Sequence, residues 1–125
     1  MKILIIGFGG AIGAILRYIV SGLDYRISNG IFPIGTLVVN ISGAFIVGLL
    51  WAFFENFSIM PAARAFIFIG ILGGYTTFSA FALENFYMFR NGAGNIALLN
   101  IVLSNVLGVL FVFLGYNLIR VMIKS

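Results

Sequence analysis

Cysteine and histidine are both missing from this 125-residue chain. Without cysteine there is no disulfide framework, no thiol nucleophile and no thiolate metal site. Without histidine the commonest general base and the commonest metal ligand are gone. Acidic residues number three, Asp24, Glu55 and Glu84, which is too few for a metalloenzyme or a triad hydrolase. Charge of either sign is scarce. Only 8% of the residues are charged, against about 25% in soluble domains, so water could not wet the surface. What fills the chain instead is apolar: 62% hydrophobic residues and a mean hydropathy of +1.20. The seven Lys and Arg give a net charge of +4, but they are scattered, and no patch is dense enough to bind nucleic acid.

A membrane-spanning helix needs about 20 mostly apolar residues. Segments of that kind run from Ile3 to about Val20, Gly35 to Phe54, Arg64 to Phe86 and Ile96 to Ile123. Together they use roughly 80 residues at about 20 each, which leaves only short connections and tails. Turn-forming residues punctuate the gaps: Ser21-Gly22, Asp24, Ser28-Asn29-Gly30 and Pro33; Glu55-Asn56 and Pro61; Asn91-Gly92 and Gly94-Asn95. Met1-Lys2 before an apolar run could open a signal peptide, but no clean small-x-small cleavage site follows, and a first span is the better reading. The expected fold is an all-α membrane protein of four transmembrane helices in a single domain, residues 1–125.

Four spans put both termini on one side. That side would carry Lys2, Arg64, Arg120 and Lys124, and the other Arg17, Arg26 and Arg90. Four against three is almost no positive-inside bias. Either something else fixes the topology, or copies insert both ways. A unit this thin hardly encloses a polar path, so a homodimer is expected, and dual topology would make it antiparallel.

Within the spans, polar and small residues are few enough to read one by one. Gly9 and Gly13 form a GxxxG step that suits close helix packing. Arg17, near the first span's end, either snorkels to the interface, the reading the sequence favours, or attracts anions in an aqueous vestibule. Thr36, Asn40 and Gly43 follow i, i+4, i+7 on one face. Asn40 lies inside the lipid boundary, where an unpaired amide is costly; it is either interhelical glue or a donor lining a pore. Gly73-Gly74-Tyr75-Thr76-Thr77 sits at the middle of the third span and combines weak helix formers. A break there, rather than a mere kink, would free carbonyls that could coordinate a cation. Phe78 and Phe81 are three apart and share a face, although among 14 phenylalanines lipid or core contact is the bland reading of any pair. On the fourth span Asn100, Ser104 and Gly108 make a polar line, with Asn105 one residue off it. Polar faces on two spans suggest a shared hydrophilic path.

Three stretches resemble the Fluc (CrcB) fluoride channels. Gly9 through Tyr18 is similar to the family's GGxxGAxxRY opening. Gly35, Thr36, Leu37, Val39, Asn40, Gly43, Phe45 and Gly48 match its GTLxVNxxGxFxxG stretch, and Gly73 through Glu84 its GGxTTFSTFxxE signature. Ala80 stands where the family usually has Thr, and Asn100 where a Tyr is frequent. The resemblance implies an antiparallel dual-topology homodimer with two pores in a bacterial inner (plasma) membrane, exporting fluoride passively. It implies a structural Na+ at the dimer centre held by the carbonyls of Gly73 and Thr76 from both copies. It implies that Phe78 and Phe81 form an aromatic box beside the fluoride path, that Asn40 donates in the pore, that Thr36, Ser79 and Ser104 continue a polar rail, and that Arg17 lies near a vestibule.

The physics of the resemblance is coherent. Fluoride is strongly hydrated, so a pore must replace its water shell with donors. Phenyl edges are electropositive, and weak repeated sites permit both entry and exit. No G-x-x-x-x-G-K-[ST] motif is present for ATP. The alternative is a small multidrug-type proton-coupled transporter, also a short four-span dual-topology dimer. It would need a titratable carboxylate within a helix, and Glu84 lies near a span end. A purely structural bilayer protein fits the polar residues poorly, and an intramembrane enzyme lacks catalytic groups.

Overall fold

A computed structural model of the chain describes residues 1–22 and 32–124. Asp24, Arg26 and the Ser28-Asn29-Gly30 run, counted above in the first connection and its charge, lie outside the described residues. Four spans among the described residues are long and apolar enough to cross a membrane: Lys2–Ser21, Ile34–Asn56, Pro61–Arg90 and Gly94–Lys124. The first, second and fourth are single helices, α1 (Lys2–Ser21), α2 (Ile34–Asn56) and α5 (Gly94–Lys124). The third is broken. Its first half, α3, starts as Pro61–Ala65, widens into a π-helical Phe66–Leu72 and closes as Gly73–Tyr75. Its second half, α4, is Ser79–Arg90.

The ends of the third span follow from local chemistry. Met60 is extended (ψ 138°) ahead of Pro61, whose fixed φ suits the first helical turn. The span therefore begins before the expected Arg64. At the other end Gly92 takes φ +81°. Ala93 N–H bonds Met88 O at 2.7 Å and Gly92 N–H bonds Phe89 O at 3.3 Å, the paired bonds of a left-handed glycine stop. The helix thus runs on past Phe86.

The break lies at residues 76–78, at the C-terminal side of the expected Gly73–Thr77 window. Thr76 is extended (φ −79°, ψ 153°), and its hydroxyl bonds Leu72 O at 2.9 Å, the same carbonyl that accepts its N–H. The helix ends on a threonine whose side chain competes for backbone acceptors. Gly73 and Gly74 stay helical. The π-helical stretch before them had no counterpart in the sequence reading, because a widened turn of Phe, Ile and Leu has no distinctive composition.

Lipid tails are as apolar as the helices, so close packing rather than water exclusion holds such a bundle together. Glycine supplies the closeness. α2 packs on α5 where a Cβ on Gly48 would strike Val112 O and one on Gly115 would strike Phe45 O. α1 packs on α3 through Gly9, whose Cβ would come within 2.7 Å of Phe66 O, and through Gly13, whose Cβ would collide with Ile71 O. The GxxxG step therefore does pack closely. Large side chains point outward instead: Ile3, Phe8, Val102 and Phe113 are all more than half exposed.

These contacts make a prediction. Gly48→Val pushes α2 off α5, an overpacking that costs about 1–3 kcal/mol or more. Thermal unfolding in detergent should shift down clearly, with loss of monodisperse protein on gel filtration. Gly7→Ala, where nothing lies within 4 Å of an added Cβ, should leave the midpoint unchanged. Equal midpoints for the two variants would contradict the backbone-to-backbone contact.

Candidate functional site

Breaking a helix at membrane depth exposes backbone donors and acceptors to a medium that cannot satisfy them. Here several of them are met by named neighbours. In an unbroken helix Thr77 N–H would bond Gly73 O. It bonds Asn40 Oδ1 instead, at 2.8 Å, while Asn40 Nδ2 donates to Thr77 O at 3.0 Å. One side-chain amide from α2 thus replaces a backbone partner on both faces of Thr77. Ala80 N–H, which would have bonded Thr76 O, is taken by Thr77 Oγ1 at 3.2 Å, an N-terminal cap for α4. Gly74 O, in the last turn of α3, accepts from Arg17 Nε at 3.1 Å. A cation there suits the negative end of the helix dipole. The carbonyls of Gly73 and Thr76, like those of Gly74 and Tyr75, lie where the break removes the normal helical donor.

A cavity of about 340 Å³ opens beside this break, between α2, α4 and α5. Asn40, Thr76, Thr77, Phe78, Phe81, Ser104 and Asn105 line it, together with the aliphatic Ala44, Val47 and Val112. Its lining includes no charged side chain. Asn40 has two N–H groups, and one is used on Thr77, so its role is neither glue nor lining alone: it braces the break and also borders the cavity. The Phe78 and Phe81 rings lie 5.9 Å apart at 47°. Phe81 is half-buried, whereas Phe78 is 78% exposed in the single subunit.

Four of the expected site residues stand off the cavity. Thr36 is buried and donates to Glu84 Oε2 at 2.8 Å, tying α2 to α4. Ser79 opens α4, exposed, with its hydroxyl 3.4 Å from that of Thr77. Arg17 is half-buried on the Gly74 carbonyl. Gly73 is exposed on α3. No three His, Cys, Asp or Glu side chains come together among the described residues.

Three features escaped the sequence reading. Thr77 is the hinge of the site, gripped by Asn40 and capping α4. Its signal was present in the Thr-Thr pair but did not say which threonine would be held. Asn105, one residue off the polar line, lines the cavity even though its Nδ2 bonds Ile101 O at 2.7 Å. Asn85 pairs with Asn100: Asn100 Nδ2 donates to Asn85 Oδ1 at 3.0 Å, and Ser104 Oγ donates to Asn100 Oδ1 at 3.2 Å. A lone Asn in an amphipathic-looking half-helix gave no sign of a partner fifteen residues away.

Residues 4–116 match the family model described as CrcB-like protein, Camphor Resistance (CrcB). The chain is 44% identical over 115 residues to a protein of Parabacteroides distasonis, covering 92% of this chain and 90% of that one. It is 43% identical over 118 residues to one from Campylobacter fetus subsp. fetus, covering 94% and 92%, and 42% identical over 118 residues to one from a Sulfurovum species, covering 94% and 93%. Each of these relatives bears the name fluoride-specific ion channel FluC. With the match running across all four spans and both halves of the broken one, this chain belongs to the CrcB family.

Proposed function

We propose that this protein is a passive fluoride channel, multi-pass in the bacterial inner membrane, acting as an antiparallel homodimer with two pores. The observation that carries the reading is the cavity lining: the neutral polar groups of Asn40, Ser104 and Asn105 beside the rings of Phe78 and Phe81, with no charged side chain among them. Electropositive ring edges and neutral donors can stand in for water around a small anion without holding it too tightly to leave. The names of the relatives point the same way. In acidic surroundings fluoride enters the cell as neutral HF and dissociates inside, and a negative-inside potential drives the anion back out through a passive pore. No enzymatic step is needed.

Dimerisation is supported by what the single subunit leaves open at mid-span. Gly73, Phe78 and Ser79 are exposed beside a non-helical backbone. Such backbone is tolerated in a membrane only where protein or a water-filled cavity covers it, and a second copy is the available protein. The near balance of positive charge favours antiparallel insertion. The broken helix also offers a cation site. The Gly73 and Thr76 carbonyls have lost their helical donors to Asn40 and Thr77. Uncharged oxygens suit a monovalent ion, so Na+ shared between two copies fits them, and there it would satisfy acceptors otherwise orphaned.

Three measurements test the reading. Liposomes loaded with fluoride and given a potassium shunt should discharge it rapidly when they contain the protein, and chloride far more slowly; equal fluxes would refute fluoride selectivity. Phe78→Ile and Phe81→Ile keep volume and remove the ring edge. They should retain the dimer, since such a swap costs under about 1.5 kcal/mol, yet lose about ten-fold or more in fluoride flux, equivalent to roughly 1.4 kcal/mol at the barrier. Phe66→Ile and Phe113→Ile, away from the cavity, should conduct normally, and if all four behave alike the two rings are ordinary core. For the cation, protein purified and reconstituted in N-methylglucamine should lose fluoride flux and regain it on adding sodium. Unchanged flux without sodium would reject a structural ion at Gly73 and Thr76.

A further inference from the structure

Two buried amides stand behind the cavity wall and line no part of it. Asn85 on α4 is 6% exposed and Asn100 on α5 is 1% exposed. Only their pairing makes burial at that depth tolerable. The chain of hydrogen bonds they make has a direction. Ser104 Oγ donates to Asn100 Oδ1, and Asn100 Nδ2 donates to Asn85 Oδ1. A serine hydroxyl has one proton. In this arrangement that proton is directed at Asn100, so the face of Ser104 that borders the cavity is a lone pair, the wrong polarity for an anion.

An amide's oxygen and NH2 are nearly the same size and shape. Turning both amides over preserves the packing and reverses the chain. Asn85 Nδ2 then donates to Asn100 Oδ1, Asn100 Nδ2 donates to Ser104 Oγ, and the serine proton turns into the cavity. Bonds arranged in series polarise one another, so the reversed order also makes Ser104 a stronger donor. We propose that Asn85 and Asn100 are positioning residues that set whether Ser104 offers the cavity an acceptor or a donor, and that an anion in the cavity selects the donor order. The inference rests on reading the cavity as the anion path. It gives Asn100 a role that depends on its amide and on Asn85 opposite it.

The test compares four proteins in liposomes: wild type, Ser104→Ala, the paired Asn85→Leu/Asn100→Leu, and all three changes together. Replacing both amides avoids leaving one buried and unsatisfied. Ser104→Ala and the leucine pair should each raise the fluoride concentration for half-maximal flux by about five-fold, the size of one net hydrogen bond. The combined variant should be no worse than either. Multiplying effects, or a leucine pair that conducts as wild type, would mean the amides act only through packing. Should the leucine pair not assemble, side-chain NMR on asparagine-¹⁵N-labelled wild type decides. The Asn85 and Asn100 amide signals should move as fluoride is added and stay still in Ser104→Ala, and immobile signals in wild type would overturn the proposal. Absent fluoride flux in wild type overturns the channel reading itself, whereas normal flux with independent amide effects overturns this inference alone.

Discussion

The two hydrogen bonds between the Asn40 side chain and the Thr77 backbone are the interaction on which the rest depends. A helix opened in the middle of a membrane leaves backbone groups that each cost several kcal/mol if nothing meets them. A side-chain amide presents a donor and an acceptor on separate atoms side by side, which matches the C=O and N–H of Thr77. Once Thr77 is held, its hydroxyl is placed to cap α4, and the last turn of α3 is left with a carbonyl for Arg17. The glycines serve the same end. Gly9 and Gly13 let α1 lie against α3, which brings Arg17 within reach of Gly74 O; a bulkier seam would leave that carbonyl bare.

Breaking the span also separates its polarity. An intact helix carries about half an elementary charge at each end, both ends far from the middle. Broken at residues 76–78, the span sets a negative α3 terminus and a positive α4 terminus side by side. Arg17 sits on the first. The second, with Phe78 and Phe81, borders the cavity. Cation-preferring and anion-preferring ends therefore sit a few residues apart without any ionised side chain on the path.

Much of this was legible in the residues. Hydropathy alone located four spans because lipid demands long apolar runs, and only the span ends moved, where Pro61 and Gly92 overrode the apolar pattern. The Gly-Gly-Tyr-Thr-Thr run announced a break, yet its position at Thr76 rather than at the glycines goes with the grip of Asn40 from α2 on Thr77, which no local propensity encodes. Asn40, Phe78, Phe81 and Ser104 were drawn to one cavity as their shared faces implied. Thr36 was not, because i, i+4 spacing fixes a face but not the partner; Glu84 claims its hydroxyl. Arg17 neither snorkels simply nor lines the cavity, since the acceptor that holds it exists only once α3 has ended. The Asn85–Asn100 pair was invisible for the same reason: pairing across helices is a property of the fold.

The placement of charge bears on which ions the path can pass. A proton-coupled transporter needs a carboxylate where substrate and proton compete, and no carboxylate lines this cavity. Glu84 accepts from the Thr36 hydroxyl, and Glu55 lies at the end of α2, bonded to the Tyr116 hydroxyl. A fixed cation in the path would bind an anion and keep it, because attraction between full charges grows steeply as water is excluded. The single arginine near the break is instead committed to a carbonyl. What remains at the cavity is a set of neutral dipoles whose orientation can change, and a strongly hydrated anion is best carried by dipoles that turn toward it on arrival and away on departure. Selectivity and release thus come from the same choice of uncharged groups, and the scarcity of charge throughout the chain is a condition of the function as much as of membrane insertion.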